Sequence, residues 1–470
     1  MMKRRDILKG ASAASLSAAT LGSLHLSLGH FSTAAAADVS GYKALVCVFL
    51  FGGLDSYDWV LPYDQSSYDR LAEIRESLFD DYDNVPGGNT RRRERLLPIN
   101  PVNNTDFGGK QYALTEEMAD IHSLFENGNA AIVANVGPLI QPITQSEYQS
   151  STVPTPKKLF SHNDQQSTWM ASAPEGAQYG WGGLFADAAV NSNANQNIDF
   201  TTLTARGNDL FLTGETVSPY QISEGGAPNV ALLGFYAGNP NYDVIRNHFR
   251  SQGYSSNNLI SSDYAALTGR SIELNELYNN SLEASMGVTT DFPQSGLGGQ
   301  LKSVAQAIAI RSELGAARQV FFVGIGGFDS HSGQAGALYN KLREINDGLS
   351  AFYTAMSDLG LQDDVTAFTA SDFGRTLSIN GDGTDHGWGA HHLVVGGAVT
   401  GKTIYGDMPP YDFGHDQDAG NGRLIPTTSV EQFAEPLGRW FGLNDAELAK
   451  ALPNFGNFSS NQKMMSMLRS

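Results

Sequence analysis

The 470 residues, 41% hydrophobic and 10% aromatic, are enough to bury a large core, which excludes a disordered chain and points to one large α/β domain with an insertion. A formal charge of -19 at pH 7 disfavours nucleic acid and anionic membranes as partners and attracts divalent cations. The single cysteine, Cys47, lies in an apolar run, which excludes an intramolecular disulfide and a cysteine-rich zinc cluster.

The chain starts MMKRRDILKG, with Arg4 and Arg5 ahead of a weakly apolar Ala/Ser/Leu stretch, and Ala34 to Ala37 supply small residues before Asp38. Basic start, apolar middle and small-residue end together form the pattern of a twin-arginine export signal over residues 1–37; the alternative is an arginine pair on a surface helix. The export reading puts the mature domain, residues 38–470, in the periplasm or outside the cell, with the translocase as its partner during export. Nothing later approaches the ~18 apolar residues of a membrane span.

Tyr42 to Phe51 is a continuous apolar run, the mark of a strand buried on both faces, and it ends in Gly52-Gly53-Leu54-Asp55-Ser56. Asp55 there either coordinates a metal or caps a turn. Residues 64–111 read as a loop-rich excursion, with Arg91 to Arg95 as a solvated basic face. Leu114 to Asn127 has helical spacing with Thr115 as a cap, and Ala130 to Val136 reads as a strand. Ser161 then opens a helix running through Trp169, as an N-cap or as a nucleophile, since first-turn N–H groups favour negative charge.

From residue 187 to 299 Asn, Ser and Gly become frequent and apolar runs shorten, which suggests an insertion or cap, with a helix from Tyr242 to Phe249. Gln300 to Arg318 is helical in pattern, and the strand Val320 to Gly324 runs into Gly326-Gly327-Phe328-Asp329-Ser330-His331, an echo of the first strand's end. Gln334 to Leu359 is a long amphipathic helix. The strands Val365 to Thr369 and Leu393 to Val399 then enclose Ser371, Asp372, Arg375, Asp385, His386, His391 and His392. Near the C-terminus, Asp412, His415, Asp416 and Asp418 read as a solvated turn rather than a calcium loop, and Val430 to Phe441 as a helix closing on the sheet.

Asp55, Asp329, His331, Asp372 and His386 all fall at or just beyond strand ends, which in a parallel sheet share one edge. Arg375 offers a planar fork for two oxygens of a tetrahedral anion, or an ion pair with a nearby acid. His391 and His392 face opposite ways on a strand, so one of them at most reaches the site, with His391 the choice.

The export start, GGLDSYDWVLPY, LFSHNDQQ, VGIGGFDSH, ASDFGRT, GTDHGWGAHH and GRLIPTTSVEQFAEPLGRWFG together resemble the bacterial domain-of-unknown-function family 1501 over nearly all the mature chain. That family is regarded as a distant relative of the alkaline phosphatase, sulfatase and phosphoglycerate mutase superfamily. The resemblance implies a doubly wound, mostly parallel sheet with an inserted cap and a divalent metal (Zn, Ca or Mn) at the strand ends. Asp55, Asp329, His331, Asp372 and His386 would be its ligands and Ser161 the nucleophile. Two departures stand out: Phe373 follows Asp372 where the superfamily's phosphatases have His, and only Ser330 separates Asp329 from His331. The implied function is a metal-dependent hydrolase of phosphate or sulfate esters, acting on a small molecule or a polysaccharide. The alternative is a non-catalytic relative that binds a surface polymer or an export partner.

Overall fold

β1 (Lys43–Phe51) sends Ala44, Val46, Val48 and Leu50 into one apolar cluster and Leu45, Cys47 and Phe49 into another. With both faces covered, the strand has no polar side to present, which is why its sequence shows no alternation. The computed structural model describes residues 40–86, 90–207, 209–228, 240–251, 258–459 and 462–469; the export signal expected over residues 1–37 lies outside them.

β2 (Val60–Pro62), β3 (Leu97–Pro98) and β4 (Tyr112–Leu114) make a small antiparallel sheet. The central sheet takes β5 (Ala130–Gly137), β6 (Thr202–Thr204), β7 (Tyr220–Gln221), β8 (Arg318–Gly326) and β9 (Val365–Ser371). After the hairpin of β10 (Arg375–Ile379) and β11 (Thr384–His386), it adds β12 (Ala390–Val395), β13 (Ile404–Tyr405) and β14 (Thr428–Ser429). Its order is β13-β5-β12-β9-β1-β8-β6-β7, with β14 also on β5. Every pairing is parallel except those of β12, which runs against β5 and β9. The reversal matters for function: β12 starts at the edge where its neighbours end, so the loop before it is delivered to that edge.

Helices cover both faces. Ala119–Glu126, Gly296–Ala309 and Gln334–Asp358 pack on one side through Ile121, Leu301 and Leu342 among others. On the other side lie His162–Ala171, Trp181–Asn191 and Val430–Phe441, the last through Phe433, Leu437, Trp440 and Phe441 as its spacing implies. The fold is a doubly wound α/β arrangement around a mostly parallel sheet, and no helix of the described residues is long and apolar enough to cross a membrane.

Several expectations change. Residues 64–111 are not mainly loop: they carry the helices Gln65–Ile74 and Glu76–Asn84 and the strand β3 of the small sheet. Arg91 is no part of a solvated face; it is fully buried, with Nε 2.5 Å from Asp58 Oδ1 and Nη2 2.7 Å from Glu117 Oε1. Burial of a guanidinium is tolerable only with such pairing. The helix expected from Leu114 starts at Ala119, because Leu114 belongs to β4 and a 3-10 turn, Glu116–Met118, intervenes. The helix expected from Gln300 to Arg318 is Gly296–Ala309, leaving Arg318 to open β8. The stretch expected as an insertion gives the sheet its strands β6 and β7 as well as the helices Tyr242–Ser251 and Leu259–Ala284. Asp418 is buried rather than solvated, accepting from the N–H groups of Gly414, Gly420 and Gly422.

Candidate metal centre

β9, β1 and β8 lie side by side, so their ends deliver Asp372 and Asp329 to one edge with Gly52 between them. Gly52 has φ +120°, and a Cβ there would stand 2.3 Å from the Asp329 backbone nitrogen; only glycine lets the turns come this close. Its N–H donates to Asp372 Oδ2 at 3.2 Å.

The same Asp372 oxygen accepts from His162 Nδ1 at 2.6 Å and Gln166 Nε2 at 2.9 Å, two side chains one helical turn apart. A carboxylate only accepts, so His162 carries a proton on Nδ1, and its Nε2 faces Asp329 Oδ2 at 3.4 Å. His386 is oriented in the same way: Nδ1 donates to the Phe160 carbonyl at 2.7 Å, and Nε2 lies 3.1 Å from Asp329 Oδ1. His331 brings its Nε2 to 3.0 Å from the same oxygen and 2.9 Å from His386 Nε2. Phe373 packs its ring against His162 and His386, with centroids 4.8 and 4.5 Å away. The other Asp372 oxygen, Oδ1, is buried with no hydrogen-bond partner.

Electrostatics follow from these contacts. The hydrogen bond to Asp372 raises the pKa of His162, whereas burial lowers that of His386. Burial pushes Asp329 upward, but the hydrogen bond and charge of Arg375, with His331 adding to them, outweigh it and hold the carboxyl below its usual range. Arg375 is itself buried, with Nη1 2.8 Å from Asp329 Oδ1 and further bonds to the Gly52 carbonyl and to Thr384. Its fork is engaged by the protein.

Of the residues singled out from sequence, Asp329, His331 and His386 meet directly, and Asp372 stands behind His162. Asp55 is elsewhere: its oxygens take Arg75 Nη1 at 2.8 Å, Arg75 Nη2 at 3.1 Å, Gln334 Nε2 at 2.7 Å and the Tyr57 N–H. Ser161 holds the N-cap position beside His162, but its hydroxyl donates to Asp164 Oδ2 at 3.0 Å instead of capping the backbone. His391 is fully buried, accepts from the Asn135 N–H at 3.0 Å, and is pulled by burial to a pKa of about 3. His392 is buried against Trp169 and Phe433. His162 was missed as a site residue, although the spacing of His162 and Gln166 in LFSHNDQQ places both on one helix face.

His162, Asp329 and His386 each offer one ligand atom, all within 4.8 Å of one another, and His331 Nε2 borders the same space. Imidazole nitrogens beside a carboxylate, with the outer nitrogens held by a carboxylate and a carbonyl, are donors of the kind that could hold a divalent cation.

Residues 247–452 match the model of a family described as protein of unknown function (DUF1501), in line with the resemblance carried by the motifs. No curated protein matches the chain. Among solved structures, the C-terminal periplasmic domain of EcEptC from Escherichia coli is similar at 8% identity and TM-score 0.37, covering 90% of each chain. An alkaline phosphatase from the Antarctic bacterium TAB5 is similar at 11% identity and TM-score 0.30, covering 88% of this chain and 99% of its own. The lipoteichoic acid synthase LtaP from Listeria monocytogenes is similar at 9% identity and TM-score 0.28, covering 81% of this chain and 69% of its own.

Proposed function

We propose that the chain is an exported metal-dependent hydrolase of phosphate or sulfate esters, its cation held by His162, Asp329, His331 and His386. The observation that carries this reading is the convergence of His162, Asp329 and His386, whose ligand atoms all lie within 4.8 Å of one another while Nδ1 of His162 is held by Asp372 and Nδ1 of His386 by the Phe160 carbonyl. Imidazole nitrogens with one carboxylate suit Zn²⁺ or Mn²⁺ better than Ca²⁺, which takes oxygen ligands. Bound there, such a cation polarises a phosphoryl or sulfuryl oxygen and offsets charge on the leaving oxygen.

The chain's own residues do the positioning. Arg375 orients Asp329, and Phe373 packs against two of the rings. Gln334 ties the buried Asp55 and Asp58 to Ser330 and Thr384, so Asp55 supports the floor of the site. Ser161, next to His162 and held by Asp164, is the nucleophile or the residue that places an attacking water. The substrate is a small-molecule or polysaccharide ester met in the periplasm or outside the cell, after twin-arginine export directed by residues 1–37.

Metal analysis of mature protein purified from the periplasm, paired with a screen of phosphate and sulfate monoesters, tests this. The expected result is a bound divalent cation, ester turnover, and loss of both in His162→Ala. Cation without turnover across the screen would support the non-catalytic relative instead; no cation would end the metal reading.

A further inference from the structure

The strand-end edge holds arginines of two kinds. Arg75, Arg91 and Arg375 each spend their charge on a carboxylate. Arg206 and Arg423 do not: among the described residues each is pinned by a backbone carbonyl and an aromatic ring, and neither has a carboxylate within ion-pair distance.

Arg423 donates from Nε to the His386 carbonyl at 2.9 Å and from Nη1 to the Gly420 carbonyl at 3.3 Å, with its Cζ 5.3 Å from the centre of the Phe160 ring. It therefore touches both residues that meet at the fixed Nδ1 of His386. Arg206, exposed, donates from Nη1 to the Gly324 carbonyl at 2.9 Å and lies 3.9 Å over Phe51, the residue before Gly52. Phe51 packs into the same apolar cluster as Trp169 of the His162 helix, so Arg206 stands on the face that carries that helix. Asp209 and Asp372 are the acids whose charge it feels. In sheet order Arg206 follows β6, beyond β8, while Arg423 holds the loop leading into β12, beyond β9. The two bracket the strands whose ends carry Asp372, Gly52 and Asp329.

A carbonyl and a ring fix a guanidinium in place without cancelling its charge. Among the described residues each retains an Nη2 with no hydrogen-bond partner, ready for a tetrahedral anion. The attraction scales with the charge of that anion. We propose that Arg206 and Arg423 are the anion-gripping residues of this site and select a doubly charged phosphoryl group over a singly charged sulfuryl group. The place of the reacting atom between them rests on the metal-site reading.

Calorimetric titration of methylphosphonate and of methanesulfonate, which no hydrolase of esters can cleave, tests this on zinc-loaded and on metal-stripped mature protein, in a buffer where the phosphonate is a dianion and the sulfonate a monoanion. The phosphonate should bind at least about tenfold tighter than the sulfonate, and Arg206→Gln and Arg423→Gln should each weaken the phosphonate about tenfold, the scale of one charge-assisted bond. Zinc stoichiometry should not change, and Arg423→Lys should recover part of the affinity by keeping the charge. Unchanged phosphonate affinity in the Gln variants, equal affinity for the sulfonate, or no anion binding by the wild type would each overturn the assignment. Failure of the wild type to take up zinc would sink the metal reading alone, because the metal-free titrations still decide the role of the arginines.

Discussion

The chain writes Gly-Gly-x-Asp-Ser twice, at 52–56 after β1 and at 326–330 where β8 ends, and the structure makes two different things of it. Asp55 is sealed in, its carboxylate closed by both Nη groups of Arg75 and by Gln334. Asp329 has a side chain 43% exposed and is faced by Arg375 and three imidazoles. In the sheet, Gly326 pairs with Phe51, so the second turn stands one residue out of step with the first. A strand-end motif thus fixes where an acid emerges. What the acid does depends on the partners that distant segments bring to it.

Breaking the two turns separately should give opposite phenotypes. Asp55→Ala leaves the buried Arg75 charge unpaired and should cost about 3–5 kcal/mol in urea unfolding, with cation affinity unchanged in whatever fraction folds. Asp329→Ala also takes the carboxylate from a buried guanidinium, but Asp329 itself is partly exposed, so the cost should be smaller, about 1–3 kcal/mol, while cation affinity falls more than about 100-fold by competition titration. Equal stability losses would erase the distinction between a structural and a ligating turn. Asp372→Asn sharpens it: the fold keeps its shape, but His162 loses the charge that orients it, and affinity should fall about 10–100-fold. An Asp372→Asn protein with full affinity would show that the hydrogen bond to His162 carries no weight.

Much of this was legible from the residues. Apolar runs with no alternation located β1, β5, β8 and β9, and the rule that parallel strands end on one edge brought Asp329, His331 and His386 together before any geometry was known. Asp55 went astray because Arg75, twenty residues on in what read as a loop, announces nothing locally about where its guanidinium will lie. Arg91 misled for a related reason, since a run of arginines looks solvated until two buried acids are placed against one of them. His162 was hidden by its neighbour, as Ser161 at a helix start drew the attention while His162 and Gln166 formed the working face. His391 shows the converse failure: an imidazole beside a glycine-rich loop looked catalytic, but β12 turns it into the core.

The glycines that open the two turns differ from each other as well, and here the comparison is most easily broken. At Gly52 the chain has φ +120°, and a Cβ would stand 2.3 Å from the Asp329 nitrogen and 2.9 Å from the Phe328 carbonyl carbon, both backbone atoms that have no rotamer by which to withdraw. Gly52→Ala should therefore cost about 1–3 kcal/mol from overpacking alone, and by pushing the turns apart it should disturb the Gly52 N–H bond to Asp372 and weaken cation binding as well. The glycine at the same place in the second motif, Gly326, has ordinary φ, and a Cβ there meets nothing within 4 Å. Gly326→Ala should leave unfolding within about 0.5 kcal/mol of the wild type and cation affinity untouched, as a surface substitution does. The asymmetry follows from the one-residue stagger between β1 and β8, which presses the first turn onto the second and leaves the second open on its outer side. A Gly326→Ala protein as damaged as Gly52→Ala would mean that the two turns are constrained alike, and that their different roles have some origin other than where the sheet places them.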